Sequence, residues 1–534
     1  MKYRTRTVLS LAGVALLACA CGSTGVETTL LPEGPLDYLT VAEASEWRAT
    51  STHAEVVELV DRLAAGSSRI HVEEAGRTFE DRSLPLLVIA DPPVTKPEDV
   101  GERLVVFAWA GIHSGEVCGK PASLMLARDL ASRRGSPLLD NLVILLLPLL
   151  NADGNDRMDP GNRPGQAGPI EGMGTRPNAQ GLNINRDFTK LETNEARALA
   201  GVLQRWDPIL AMDLHTTNGT IHQYALTYDG PRHPSTDAGL RDYINEVMLP
   251  AISATMDAHG GIKTFPYGNL NRDRTEWNTY PAQPRYSTHY LGLRNVIGVL
   301  SEAYTHAPYE ARVYATLDFM RHTFAYAGSH GEELRTLRGA AIARTIARAT
   351  ATEPGMVALR QRSQMRVAEE DFLGYSGRNW AERGEPMDLK VRRGDKSVAT
   401  LEVDLPFAYL FSAESAAALE TLRAHGIEVQ SLSSDTLLEL QVYTVDGLER
   451  AEREYEGHNL VQLEVSSNTL TRSLPAGTLV VQTGQALGSL AAHLLEPLAE
   501  DGLGAWNFFD DTLRVGGEFP VLRLSGATKL PLAD

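Results

Sequence analysis

Leu104-Val105-Val106-Phe107-Ala108-Trp109-Ala110 runs, after Gly111-Ile112, into His113-Ser114-Gly115-Glu116. The first stretch is a short, continuous apolar run of the kind that forms a strand buried on both faces. The second places a histidine and a carboxylate three residues apart just beyond that strand's carboxyl end. About a hundred residues later the pattern recurs: Ile209-Leu210-Ala211-Met212 leads into Asp213-Leu214-His215. In open α/β sheets, function gathers outside the carboxyl ends of strands, so the three side chains are expected to meet. Two imidazoles and one carboxylate suit Zn²⁺, and three protein ligands leave a position for water or substrate. His113, Glu116 and His215 are therefore the expected metal ligands. An H-x-x-E pair alone is common in surface turns and helix faces, so its weight comes from the residues around it.

Working outward, further apolar runs occur at Leu86 to Ile89, Leu142 to Leu147 and Val296 to Leu300. Helical stretches lie between them, such as Pro121 to Ser132 and Glu195 to Arg205. Pro121 suits a helix start, and Leu124, Leu126 and Leu130 supply an apolar stripe. The alternation predicts an α/β domain with a central mixed, largely parallel sheet flanked by helices. Residues 155 to 180 break the pattern. They are rich in Gly, Pro, Asn and Arg, and a loop of that length in a compact domain is usually functional or disordered.

The chain has 534 residues, too many for one core. We expect an α/β domain over 40–345, a linker over 346–375 and an accessory α+β domain over 376–534. In that last part Ser412 to His425 reads as a helix, and Leu438 to Tyr443 and Leu479 to Gln482 read as strands. His425, His458 and His493 are scattered there and form no ligand pattern. The formal net charge of −18 argues against a nucleic-acid partner, because phosphate binding needs clustered Lys and Arg.

The amino terminus reads as a targeting segment over 1–21, followed by a tether over 22–39. Lys2, Arg4 and Arg6 precede an apolar stretch from Val8 to Ala18, too short to span a bilayer and fitting a secretory signal. A small residue followed by cysteine resembles a bacterial lipoprotein cleavage site, with Cys19 and Cys21 both open as the lipidated residue. The location expected is extracytoplasmic, periplasmic or cell-surface. Only Cys118 remains beyond the signal, so no internal disulfide is expected. It reads as a small buried hydrophobe rather than a ligand.

Two further clusters carry chemistry. Arg176 and Arg186, ten residues apart with Asn185 beside the second, suit the forked binding of a carboxylate. Glu302 ends the Val296 to Leu300 strand, where a carboxylate suits a general base. Taken in order, His113-x-x-Glu116, Asn151-x-Asp153-Gly154, the Arg176 to Arg186 segment, Asp213-x-His215 and Glu302 resemble the M14 zinc carboxypeptidases over roughly residues 40 to 340. The resemblance implies that His113, Glu116 and His215 bind one Zn²⁺ and that Glu302 is the general base toward the attacking water. It implies that Arg176 polarises the scissile carbonyl, and that Asn185 and Arg186 hold the substrate's terminal carboxylate. It also implies a mobile substrate-side tyrosine; Tyr286 is the candidate and Tyr280 its rival.

Three departures from the digestive-type pattern bear on substrate. Asn183 stands where an Asp orients a zinc-bound histidine, Gly115 stands where an Arg contacts substrate, and Ala152 stands where the family has Pro. The expected activity is release of C-terminal residues from peptides, cell-wall peptides among them. An N-acyl amino acid deacylase of the aspartoacylase and succinylglutamate desuccinylase type stays open, since Asp213-Leu214-His215-Thr216-Thr217 looks like their histidine motif. A non-catalytic surface binding protein stays open too, although the Glu302 position counts against it.

Overall fold

The structure is a computed structural model that describes residues 38–533 except 133–135 and 352–354. The expected signal segment, tether and lipidation site fall outside those residues, apart from the last two of the tether. Strands β1 (Ile70–Arg77), β2 (Ser83–Ile89), β3 (Leu104–Ala110), β4 (Leu142–Leu147), β5 (Leu210–Thr216), β6 (Leu226–Asp229) and β7 (Thr264–Pro266) belong to the central sheet. The short β8 (Asn269–Leu270) and β9 (Glu276–Asn278) follow, and β10 (Ile297–Ala303) returns to the sheet centre. The eight-stranded order is β1-β2-β4-β3-β5-β10-β6-β7.

Its four middle strands, β4, β3, β5 and β10, run parallel, whereas β1, β2 and β6 join antiparallel. Every residue of those four parallel strands is buried, as helix-covered parallel strands require. Helix His53–Gly66 packs on β1 and β2 and on Gly119–Ala131, which with Tyr309–Ser329 packs on the parallel strands. The first is held at its start by a capping box, Thr52 with Glu55. The expected helices near 121–132 and 195–205 are Gly119–Ala131 and Asn194–Trp206.

In β5 and β10, Glu302 lies directly beside His215 in parallel register. Side chains on a strand alternate in direction, and register partners on adjacent strands share a face. Glu302 and His215 are thus committed to the same side by the pleat itself, with Asp213, two residues before His215, on that side as well.

The second half is interleaved with the first. Residues 346–375, expected as a linker, contain the end of helix Gly331–Arg348, β11 (Met356–Gln364) and β12 (Glu369–Tyr375). β12 pairs with β13 (Pro386–Gly394), which pairs in parallel with β9. The apolar faces of these strands, with Phe372 and Val391, close over Trp277 and Tyr224. That burial explains why the segment is ordered sheet rather than a polar connector.

β14 (Lys396–Asp404) pairs with β11. Then β15 (Ala408–Phe411), β16 (Gln430–Leu432), β17 (Thr436–Arg450), β18 (Val461–Leu474), β19 (Leu479–Gln482), β20 (Leu522–Leu524) and β21 (Leu532–Ala533) build an antiparallel seven-stranded sheet ordered β18-β17-β20-β15-β19-β16-β21. Alternating Leu438, Leu440 and Val442 of β17 pack with Ala408, Leu410 and Val480. The helix expected over 412–425 is Ala416–Ala424, because Ser412 bonds the N–H of Glu414 through its own side chain and holds a turn first.

Candidate metal centre

The loop that leaves β3 carries His113 and Glu116, and β5 carries His215. All three are buried, and one ligand atom from each lies within 4.8 Å of the others. Both imidazoles turn Nδ1 toward Glu116: His113 Nδ1 is 3.2 Å from Oε1 and His215 Nδ1 is 2.8 Å from Oε2. Both commit Nε2 to an oxygen on the outer side. His113 Nε2 donates to Asn183 Oδ1 at 2.9 Å, and His215 Nε2 lies 2.9 Å from Asp213 Oδ2. Ser287 in turn donates to that Asp213 oxygen at 2.5 Å. With Nε2–H held outward, the Nδ1 lone pairs converge, which is the tautomer a metal ligand needs. Among the described residues this is the one cluster whose donors suit a metal.

At His113 and Glu116 the charges agree with that reading. Burial, opposed by Glu116, pushes the His113 imidazole down to about 4, so its lone pair is free at neutral pH. Burial acts on His215 in the same direction, but Asp213 and Glu116 outweigh it and hold its pKa well above the ordinary range, so a metal that binds there takes the place of a proton. Burial likewise opposes ionised Glu116, yet Arg163 and the two histidines overcome it and keep the carboxylate well below its usual value. Burial lifts Glu302 to about 8; the charge of His215 opposes the rise and that of Glu116 adds to it. A cation among the three ligands acts against that rise. The Oε2 atom of Glu302 is buried without a hydrogen-bond partner and the residue lines the cleft.

The cleft has a volume of about 340 Å³. It brings together His113, Glu116, His215, Glu302, Arg176, Asn185, Arg186, Tyr280 and Tyr286. Arg176, half-exposed, reaches His113 Nδ1 at 3.2 Å and Glu116 Oε1 at 3.5 Å, so its guanidinium borders the ligands. Asn185 is buried beside His215, its Oδ1 accepting the N–H of Ser287 at 3.3 Å. The Arg186 guanidinium sits 4.2 Å above the Tyr286 ring. Tyr286 and Tyr280 are themselves neighbours, with centroids 5.0 Å apart. His289 lies under Tyr280, and His306 bonds Gly219; neither reaches the metal ligands.

Sequence reasoning missed Arg163. It comes from the Gly- and Pro-rich loop, donates to Glu116 Oε1 at 2.6 Å and is fixed by the carbonyl of Thr217 at 3.1 Å. Gly115 explains how it fits. A Cβ there would lie 2.9 Å from Arg163 Cδ and 2.8 Å from the Gly174 carbonyl. The side chain absent at 115 is therefore the space that Arg163 fills. Tyr267, a third tyrosine in the cleft, was also not singled out, because an isolated aromatic in a loop carries no pattern.

Residues 56–271 match the profile of the Peptidase_M14 family, described as zinc carboxypeptidase. The chain carries an M14 zinc carboxypeptidase domain. Its metal is zinc, and His113, Glu116 and His215 have the donors to hold it. The matched segment of the M14 domain contains those three residues with Arg176, Asn185 and Arg186, and it ends before Tyr280, Tyr286 and Glu302. The placement of Glu302 in the site thus rests on its register with His215 rather than on the match.

The chain is similar to "Carboxypeptidase 2" of Trichophyton rubrum, 22% identical over 502 residues that span 90% of this chain and 88% of that protein. A shorter stretch is similar to "Carboxypeptidase D" of Mus musculus, 31% identical over 170 residues, 29% of this chain and 12% of that one. Among solved structures, "Carboxypeptidase A from Helicoverpa Armigera" aligns at a TM-score of 0.42 and 17% identity, covering 55% of this chain and 80% of that one.

Proposed function

We propose that this metallocarboxypeptidase hydrolyses the amide bond next to a free C-terminal carboxylate of a peptide, with Glu302 and Arg176 as catalytic residues and Asn185, Arg186 and Tyr286 holding the substrate. One observation carries the reading. The metal ligands, an unpartnered buried carboxyl and the Arg186 guanidinium face a single cleft. Arg186 and Asn185 take the terminal carboxylate, so only the last amide bond can lie over the ligands. Positioning of that kind converts general amide hydrolysis into removal of one residue at a time.

Zinc, when bound, supplies Lewis acidity toward the amide oxygen and toward water. The chain's own groups do the rest. Glu302 accepts a proton from the attacking water as the new C–O bond forms. It then returns that proton to the departing amine as the C–N bond breaks. Arg176 faces the carbonyl oxygen as negative charge gathers there, and its fixed donors need no reorganisation at that moment. The stacked Tyr286 ring limits the swing of Arg186, which preserves the clamp between turnovers.

The reading extends to place. An extracytoplasmic, lipid-anchored enzyme acting on peptides, cell-wall peptides among them, fits the Lys2, Arg4 and Arg6 start, the Val8 to Ala18 run and the two cysteines at 19 and 21.

The test is a product scan. The soluble protein is offered pooled peptides and N-acyl amino acids, and products are identified by mass with and without a zinc chelator. Chelator-sensitive loss of single C-terminal residues is expected. Acyl release alone would replace the reading with a deacylase, and no turnover by the zinc-loaded protein would replace it with a binding role.

A further inference from the structure

We infer that the turn Tyr455-Glu456-Gly457-His458, from the C-terminal half, is a positioning element for the active site, with Tyr455 setting Arg186 and Glu456 setting the support of His113. The part concerning Arg186 rests on the clamp reading above; the part concerning His113 rests only on the metal centre. Four contacts join this turn to one segment of the catalytic half. Arg186 Nε donates to the Tyr455 hydroxyl at 3.0 Å. Asn183 N–H donates to Glu456 Oε2 at 2.7 Å. His458 Nε2 meets Glu192 Oε2 at 2.8 Å. Gly457 lies over Leu182, which a Cβ there would touch at 3.6 Å.

Asn183 is also the residue whose side chain accepts from His113 Nε2 and from the N–H of Asn185. One residue, Asn183, thus receives a carboxylate from one half at its backbone N–H and orients a candidate metal ligand in the other through its side chain. Glu456 is held at a positive φ of 51° and Gly457 at 82°, between the bridged pair Tyr455 and His458. Two successive positive φ values are the pattern of a type I′ hairpin turn, in which the first central residue is ordinarily Asn, Asp or Gly. A glutamate there carries a backbone cost, and such cost persists where surrounding contacts over-determine the conformation. The contact that does so here is the bond to Asn183.

Chemistry also separates Tyr455 from a mere spacer. A guanidinium has five N–H donors in a fixed fork. Tyr455 takes Nε, and the Asn185 carbonyl takes one donor of Nη1 at 2.5 Å. Nη2 has no protein acceptor among the described residues, so the Nη end is what remains for a carboxylate. The Tyr455 ring is in turn faced by Arg285 at 5.3 Å, and Arg285 is locked to Asp501 at 2.6 Å. The ring is therefore backed by Arg285 of the catalytic half, which is itself tied to Asp501 of the C-terminal half.

The experiment uses the full chain as zinc enzyme and reads kcat, KM, zinc affinity and Tm for Tyr455→Phe, Glu456→Ala and Glu456→Gln. Tyr455→Phe should raise KM for free-acid peptides roughly three- to tenfold, with kcat within about twofold and zinc affinity unchanged. Glu456→Ala should weaken zinc, measured by competition with a chromogenic chelator, roughly threefold or more, and Glu456→Gln, which keeps an accepting oxygen, should restore it. Unchanged KM in Tyr455→Phe together with unchanged zinc affinity in Glu456→Ala, whatever the Tm, would overturn the inference and leave the turn a simple tie between halves. Arg186→Met is the control that separates the two readings. If it leaves KM unchanged, the clamp reading fails, and the zinc measurements on Glu456 still decide the role of the turn.

Discussion

Glu302, on the inner strand β10, and Glu496, just past helix Gly488–Leu495, are both buried carboxyls, and they differ in what surrounds them. Glu496 belongs to the antiparallel half. It accepts from Tyr409 at 2.7 Å and Tyr443 at 3.2 Å and pairs with Arg523 at 3.0 Å. Glu302 belongs to the parallel half, ends β10 beside the metal ligands, and keeps an oxygen with no partner. Burial raises the pKa of both, with Arg523 opposing the rise in one and His215 in the other. The difference is therefore satisfaction rather than burial. A buried carboxyl whose lone pairs are filled builds structure; one left open toward a cleft is available for chemistry.

The comparison can be broken most sharply at Glu302. Glu302→Gln should lower kcat roughly 10²- to 10⁴-fold. Zinc content and Tm should change little, because the amide fits the same space. A turnover number near wild type would remove Glu302 from the mechanism. The reverse profile is expected of Glu496→Ala. Removing one partner of a buried ion pair costs about 3–5 kcal/mol, so thermal unfolding should move down by several degrees while kcat/KM of the remaining folded enzyme stays near wild type. Equal losses of activity and stability in both variants would erase the distinction.

A smaller effect sharpens the catalytic side. Asn183 supports His113 without charge, and Asn183→Asp should tighten zinc roughly tenfold in a chelator competition, since a carboxylate raises the basicity of the imidazole it holds. Weaker binding would show that the Glu456 carboxylate nearby repels the new charge more than His113 gains. The smallest effect tests the contact between the halves. Glu500 accepts from Gln283 at 3.1 Å, and burial pushes its carboxyl up to about 7. The folded state then binds the extra proton, so the stability it contributes is full below the unfolded pKa of about 4.3 and is lost as pH rises through about 7. Glu500→Gln should flatten the fall in Tm between about pH 5 and 8 by roughly 1–3 °C. An unaltered slope would place the titration elsewhere.

The two halves also differ in how far they could be read beforehand. In the catalytic half the candidate metal ligands and Glu302 sit at or just past the ends of apolar runs, so sheet physics alone brings them together. His113 and Glu116 follow β3, His215 ends β5, and Glu302 ends β10. Arg163 was not legible, because it reaches Glu116 from a loop with no periodicity, and its only trace was the missing side chain at Gly115. In the other half the alternation of β17 and the run of β19 were visible, but the contacts that matter to the site were not. Tyr455 and Arg186 are 269 residues apart, and Glu456 meets the backbone of Asn183 across 273. A bond to a backbone N–H asks nothing of the partner's side chain and so leaves no trace in its sequence. The strands inside 346–375 were hidden for a related reason. β11 and β12 are half-polar, and it is pairing with β14 and β13, with Phe372 packed against Trp277, that makes them sheet.

The most direct test of the account compares one peptide as its free acid and as its C-terminal amide, with wild-type enzyme and with Arg186→Met. The wild type should cleave the acid with kcat/KM at least about 10²-fold above the amide, and Arg186→Met should lose most of that preference by slowing on the acid alone. Equal turnover of acid and amide by the wild type would contradict the claim that a free carboxylate, held at Arg186, selects the bond that lies over the metal centre.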